Sequence, residues 1–178
     1  MTELYRRIIP KIMLAKDIKG DLNAVTTSFY RNFHSIGKPV SQAKIFQANI
    51  ADELILLNVD KRSIKFSALL TASKHVSEEV FMPLSVGGGI ETLDHAMQLF
   101  EIGVEKVVLD SIFDIRLSEV ARIANRFGSQ SLIGSCTYWG EFGSKLPYNS
   151  ERRFLRLDEV LQRIKVMEAS GVGEIMLN

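Results

Sequence analysis

Short apolar runs alternate along the chain with longer stretches in which apolar residues recur every three or four positions. The short runs predict strands at Arg7 to Leu14, Glu53 to Asn58, Met82 to Val86, Lys106 to Leu109, Ser131 to Cys136 and Glu174 to Asn178. Each is too short for a helix, and most are apolar on both faces, as strands buried in a parallel sheet are. The longer stretches predict five helices. Leu69, Ala72, Ser73 and Val76 fall at i, i+3, i+4, i+7, as do Leu93, Ala96, Met97 and Phe100. Leu117, Val120, Ala121 and Ala124 repeat the spacing, and so do Leu157, Val160, Leu161 and Ile164, each set forming a one-sided stripe. The remaining helix, Pro39 to Ala48, is less regular but opens on proline, whose missing N–H costs little in a first turn.

Strand–helix alternation of this kind predicts an α/β fold with parallel strands. A weak internal repeat marks where helices hand over to strands: Ala51-Asp52-Glu53-Leu54, Gly103-Val104-Glu105-Lys106-Val107 and Gly171-Val172-Gly173-Glu174-Ile175. Such units either close as a barrel or stay open as a doubly wound sheet, and periodicity does not separate the two. Two connections, Ala15 to Lys38 and Thr137 to Arg156, are long for βα units and follow strand C-terminal ends, where barrel enzymes keep their chemistry.

With 178 residues, 46% apolar and 24% charged, the chain has the size and balance of one globular domain, expected to span 1–178. The net charge of +1 gives no reason to expect nucleic acid or an anionic membrane as partner, so any anion must be recognised locally. One cysteine, and an N-terminus interrupted by Arg6, Arg7, Lys11 and Lys16, predict a cytoplasmic protein, and no apolar run approaches the ~20 residues of a membrane span.

Val86-Gly87-Gly88-Gly89-Ile90 leaves the third predicted strand and enters a helix with Thr92 as its expected N-cap. The block reads either as a phosphate cradle, in which backbone N–H groups and a helix N-terminus face the anion, or as a tight turn. Asp110-Ser111 ends the fourth strand: Ser111 can donate to a phosphate, whereas Asp110 repels one or caps the next helix. Arg7, Glu53, Lys106 and Glu174 open four strands, and in a closed barrel would meet at the N-terminal mouth, either as a structural ion-pair plug or as a gate. His34, His75 and His95 have no metal-ligand spacing, and the helical positions of His75 and His95 predict surface roles. No metal or cofactor is expected. Cys136 reads as a small buried hydrophobe, and Tyr138-Trp139 either stack on a base or cover their own loop.

Taken with Phe127-Gly128-Ser129-Gln130-Ser131, the segments Arg7-Ile8-Ile9-Pro10, Ala51 to Leu54, Pro83 to Ile90, Lys106-Val107-Val108 and Gly171 to Ile175 resemble, in order and spacing, the cyclase subunit of imidazole glycerol phosphate synthase. Arg7 to Pro10 and Phe81-Met82-Pro83 look closest to a divergent branch associated with amidation of surface-polysaccharide sugars. The resemblance implies a (βα)₈ TIM barrel, here with about six strands and five helices, and a lyase acting in histidine biosynthesis on a phosphorylated small molecule. It also implies a class I glutaminase partner whose ammonia passes along the barrel axis through a gate matching Arg7, Glu53, Lys106 and Glu174. Phosphate contacts are implied for Gly87, Gly88, Gly89 and Ser111. The two family carboxylates that act as general acid and base match Met13, within one residue, and Thr137, neither of which exchanges a proton near neutral pH. The family's first-loop lysine matches Thr26, its Asp ending strand two matches Asn58, and its phosphate-site Asn matches Asp110. An alternative implied role is therefore a catalytically impaired barrel subunit or scaffold in sugar amidation. The barrel's usual length of roughly 250 residues leaves about 70 to be expected beyond Asn178.

Overall fold

A computed structural model describes residues 6–17, 19–28, 31–137 and 157–178. Contacts divide the chain into two compact units, Met1–Val108 and Leu109–Asn178. In the first unit, strands β1 (Lys11–Lys16), β2 (Leu22–Ser28), β3 (Arg31–Gly37), β4 (Leu54–Asn58), β5 (Leu84–Gly87) and β6 (Lys106–Leu109, ending at the boundary) lie in the order β3-β2-β1-β4-β5-β6. The pairs β1–β4, β4–β5 and β5–β6 are parallel. Helices α1 (Pro39–Ala48), α2 (Phe66–Ser77) and α3 (Leu93–Glu101) connect them, with α1 packed on β1 and α2 between α1 and α3.

Register sorts the strand residues into two faces. Ile12, Leu56, Val86 and Val107 align across four strands and are almost fully buried, as expected for the face that receives the helices. The opposite face carries two rows: Lys11–Ile55–Ser85–Lys106 near the strand starts and Met13–Leu57–Gly87–Val108 nearer their ends. The first strand begins later than the sequence predicts because Pro10 has no N–H for the ladder, although its carbonyl still accepts from Ile55.

The predicted long connection after β1 is not irregular. It forms the antiparallel hairpin β2–β3, which extends β1 to Lys16 through the pair Lys16↔Leu22. The register of β2 on β1 puts Val25 opposite Met13. Ala15, Val25 and Val59 form a buried apolar cluster, packed round by Met13, Phe33 and Leu57.

In the second unit, α4 (Ile112–Ile115) and α5 (Leu117–Phe127) lead through a 3₁₀ turn (Ser129–Ser131) to β7 (Leu132–Cys136), and α6 (Leu157–Ala169) leads to β8 (Glu174–Leu177), parallel to β7. The long connection expected at Thr137 to Arg156, with Tyr138 and Trp139, lies outside the described residues beyond Thr137. Among the described residues no helix is long and apolar enough to cross a membrane.

The stripe on α2 is buried as its spacing predicts. Elsewhere the buried face is rotated. On α3 it centres on Ala96 and Leu99, on α5 on Val120 and Ile123, and on α6 on Val160 and Met167, leaving Leu117, Leu157 and Leu161 exposed. Tertiary packing decides this on α6: Gly134 of β7 leaves no room for a Cβ because the Met167 sulfur occupies that space.

Lys11 stands on the second face, and burial pushes its amine below its ordinary value. The folded protein therefore releases this proton before the unfolded chain does, so between the two values the unfolded state binds more protons and stability rises with pH. Lys11→Met removes the titrating amine, so its stability is expected to stay flat with pH where that of the unmodified protein rises toward the ordinary lysine range of about 10.4. Urea midpoints across that range check it, and parallel pH curves for the two proteins would contradict it.

Candidate functional site

At the N-terminal ends of the strands in the first unit, three of the four predicted gate residues come together. Glu53, buried just before β4, receives an ion pair from Arg7 on one carboxylate oxygen, and Lys106 Nζ lies 3.7 Å from the other. Lys106 is 15% exposed and Arg7 49%, so the cluster runs from a wet edge to a nearly dry interior. Glu174 opens β8 in the second unit, half-buried. Register explains why Lys106 can reach: it belongs to the row of the second face near the strand starts, one strand beyond Ser85.

Three large apolar side chains lie at this end, on the segments that lead into β1, β4 and β5: Ile8 is 69% exposed, Ile50 87% and Phe81 95%. Backbone bonds tie their segments together. The N–H of Ile8 donates to Asp52 Oδ2 at 2.6 Å, and that of Phe81 to Gln47 Oε1 at 2.5 Å. Ile50 ends the turn after α1 at φ +59°, a left-handed conformation costing a β-branched residue about 1–3 kcal/mol.

At the other end, β5 runs into the glycine block. Gly88 and Gly89 both sit at φ +90°, and a Cβ on Gly88 would collide with the Asn58 carbonyl oxygen, so only glycine fits. Asn58 is itself buried. Its Oδ1 accepts the Asp60 N–H at 2.9 Å and its Nδ2 donates to the Ile64 carbonyl at 3.4 Å, which braces the β4–α2 connection beside the glycines. Thr92 caps α3 as expected, accepting the His95 N–H at 3.2 Å.

The same end of β1 and β4 offers no proton carrier at Met13, which lies in the apolar cluster with Leu57, Val25 and Phe33. Thr26 lies on β2, and Thr137 follows β7 in the second unit, half-buried.

The second unit holds an arrangement that sequence reasoning missed. Arg163 of α6 donates through Nη1 to Asp114 Oδ1 at 2.5 Å, and through Nη2 to Asp114 Oδ2 at 3.0 Å, the Asp110 carbonyl at 2.9 Å and Asp110 Oδ1 at 3.2 Å. It also lies 6.0 Å over the Phe113 ring. Burial alone would lower the Arg163 pKa, but Asp114 and then Asp110 hold it above its ordinary value. The Asp110 side chain is thus paired with a cation, and Ser111, not Asp110, stands at the N-cap of α4 without a side-chain cap bond. An arginine three residues after Val160, in line with the buried face of α6, was the available signal. Cys136 is buried, and burial raises its thiol pKa, with Arg163 pulling the other way, as a small hydrophobe requires. His75 is exposed as predicted, but His95 is half-buried and stacked on Phe66, because α2 begins directly against it.

Residues 7–178 match the family model described as histidine biosynthesis protein. A Pseudomonas aeruginosa protein provisionally named an imidazole glycerol phosphate synthase subunit is 37% identical over 97% of this chain and 67% of its own length. One of Prochlorococcus marinus, provisionally given the same name, is 37% identical over 73% of the chain and 51% of its own length. The imidazole glycerol phosphate synthase subunit HisF of Leuconostoc mesenteroides is 34% identical over 98% of the chain and 67% of its own length. The chain thus spans between about half and two thirds of these relatives.

Proposed function

The chain belongs to the histidine biosynthesis protein family, and we propose that it forms the first part of a cyclase subunit of the imidazole glycerol phosphate synthase kind, working in the cytoplasm on a phosphorylated small molecule. Ammonia enters at the N-terminal ends of the strands from a class I glutaminase docked there. The observation that carries this reading is the Glu53 cluster, in which one buried carboxylate holds Arg7 and Lys106 at the strand starts. A buried charge cluster is costly to desolvate, and a hydrophobic substitute of similar volume is often as stable, so its presence supports a task at the mouth. The family resemblance assigns Glu174 as the gate's fourth member. Ile8, Ile50 and Phe81, exposed at the same end, suit the apolar anchors of a protein interface better than a solvated surface. The names of the relatives speak for a histidine-pathway cyclase over a scaffold in surface-sugar amidation, while Met13 and Thr137 at the matched acid and base positions make it a slow one.

Phosphate would lie on the N–H groups of Gly87, Gly88 and Gly89, with the N-terminus of α3 behind them, and the family resemblance assigns Ser111 as a further donor. No cofactor or metal is called for. Binding of a glutaminase subunit from an imidazole glycerol phosphate synthase tests the docking surface: Phe81→Asp is expected to weaken the complex at least about tenfold by calorimetry, roughly 1.4 kcal/mol. Unchanged affinity would remove this face from the proposal.

A further inference from the structure

His95 lies in the first turn of α3, yet its ring turns back toward the loop that precedes the helix. Its Nδ1 accepts the N–H of Glu91 at 3.3 Å while its own backbone N–H is held by Thr92 Oγ1 at 3.2 Å. The ring stacks on Phe66, the first residue of α2, at 3.9 Å between centroids and 8° between planes. Glu91 follows Gly87-Gly88-Gly89-Ile90 by one residue, so the bond to Nδ1 fixes the exit of the glycine loop. At the loop's other side stands Asn58, whose carbonyl oxygen abuts Gly88 and whose side chain holds Asp60 and Ile64. The glycine loop thus meets the β4–α2 connection at two points: at its start by close approach to the Asn58 carbonyl, and at its end through the His95–Phe66 stack.

We propose that His95 is a positioning residue for the anion site, holding the N–H groups of the glycine loop in their binding arrangement without touching the anion itself. The inference rests on the phosphate reading above. A loop whose φ angles lie near +90° at two successive glycines has many alternative conformations, and donors help an anion only when they are already aimed at it. Nδ1 accepts only when it carries no proton, so the competent ring bears its proton on Nε2. Phe66 supplies the face against which the ring is fixed, which explains why a histidine in a helix is stacked rather than solvated.

Two substitutions in the full-length protein separate the acceptor from the stack. His95→Phe keeps a ring against Phe66 but has no acceptor. His95→Asn loses the ring but places an amide oxygen near the position of Nδ1. Binding of inorganic phosphate is measured by calorimetry, and exchange of the Gly88, Gly89 and Glu91 amides by NMR. His95→Phe is expected to weaken phosphate about three- to tenfold and to speed exchange at Glu91, with little change in melting temperature. His95→Asn is expected to recover most of the affinity. Undiminished phosphate binding by His95→Phe overturns the inference and leaves the anion site standing. Absence of phosphate binding by the unmodified protein overturns the anion site and the inference with it. If His95→Phe fails to fold, His95→Asn decides alone: near-normal affinity supports the acceptor role, and a loss as large as tenfold contradicts it.

Discussion

Ammonia-driven turnover of the histidine-pathway substrate by the full-length protein is expected to fall at least about 10⁴-fold below that of an ordinary cyclase subunit. A positioned general acid or base typically contributes 10²–10⁴-fold, and the positions that the family resemblance assigns to both are Met13 and Thr137. The structure adds a reason at the first of them. Met13 stands in a row between Val25 and Leu57 and packs on Ala15, Val25 and Val59 beside Phe33, so the surroundings are apolar as well as the residue. A carboxyl placed there by Met13→Asp would be half-buried among apolar side chains, which raises its pKa, and Thr137 would still carry no exchangeable proton near neutral pH, so the single substitution should not restore activity. Steady-state rates at saturating ammonium check this, and turnover within tenfold of an ordinary cyclase contradicts it.

The second large effect concerns Glu53. Its removal by Glu53→Ala leaves Lys106, 15% exposed, without its carboxylate, and leaves Arg7 on the wetter side. Breaking a fully buried pair costs about 3–5 kcal/mol, and the exposure of Arg7 brings the expectation here to about 2–4 kcal/mol in urea unfolding. A loss of about 1 kcal/mol or less is what solvent-exposed pairs give, and would mean that the cluster is screened by water. Glu53→Ala combined with Lys106→Met should cost less than the sum of the two, because the two side chains face each other and each single change removes the same pairing.

The central strands β4, β5 and β7 were legible because they bury both faces, which leaves uninterrupted apolar runs such as Leu54-Ile55-Leu56-Leu57. The hairpin β2–β3 was not, since its residues alternate weakly, β3 is largely exposed, and its pairing depends on the long-range match of Val25 with Met13. Helix positions were readable, but their buried faces were less so. Period alone does not distinguish Leu157-Val160-Leu161 from Val160-Met167 until the Gly134 hollow is known. Charges at strand starts pointed to the Glu53 cluster because parallel strands in register bring their first residues together. Arg163 and His95 were hidden for the opposite reason: each acts across segments far apart in sequence, 53 residues for Arg163 and Asp110, and a lone arginine or histidine in an amphipathic helix carries no mark of its partner.

The proposed task of this end of the protein is to pass ammonia from a docked glutaminase through the mouth lined by Glu53. Its most direct test supplies the full-length protein and the glutaminase subunit with glutamine labelled by ¹⁵N in the amide, in the presence of excess unlabelled ammonium, and reads the isotope in the product by mass spectrometry at end point, where a slow rate is no obstacle. Delivery through the protein predicts that the label is retained in the product and that Phe81→Asp dilutes it. Product nitrogen at the isotopic ratio of the bulk ammonium, with the two proteins mixed at concentrations that form the complex, would contradict the account.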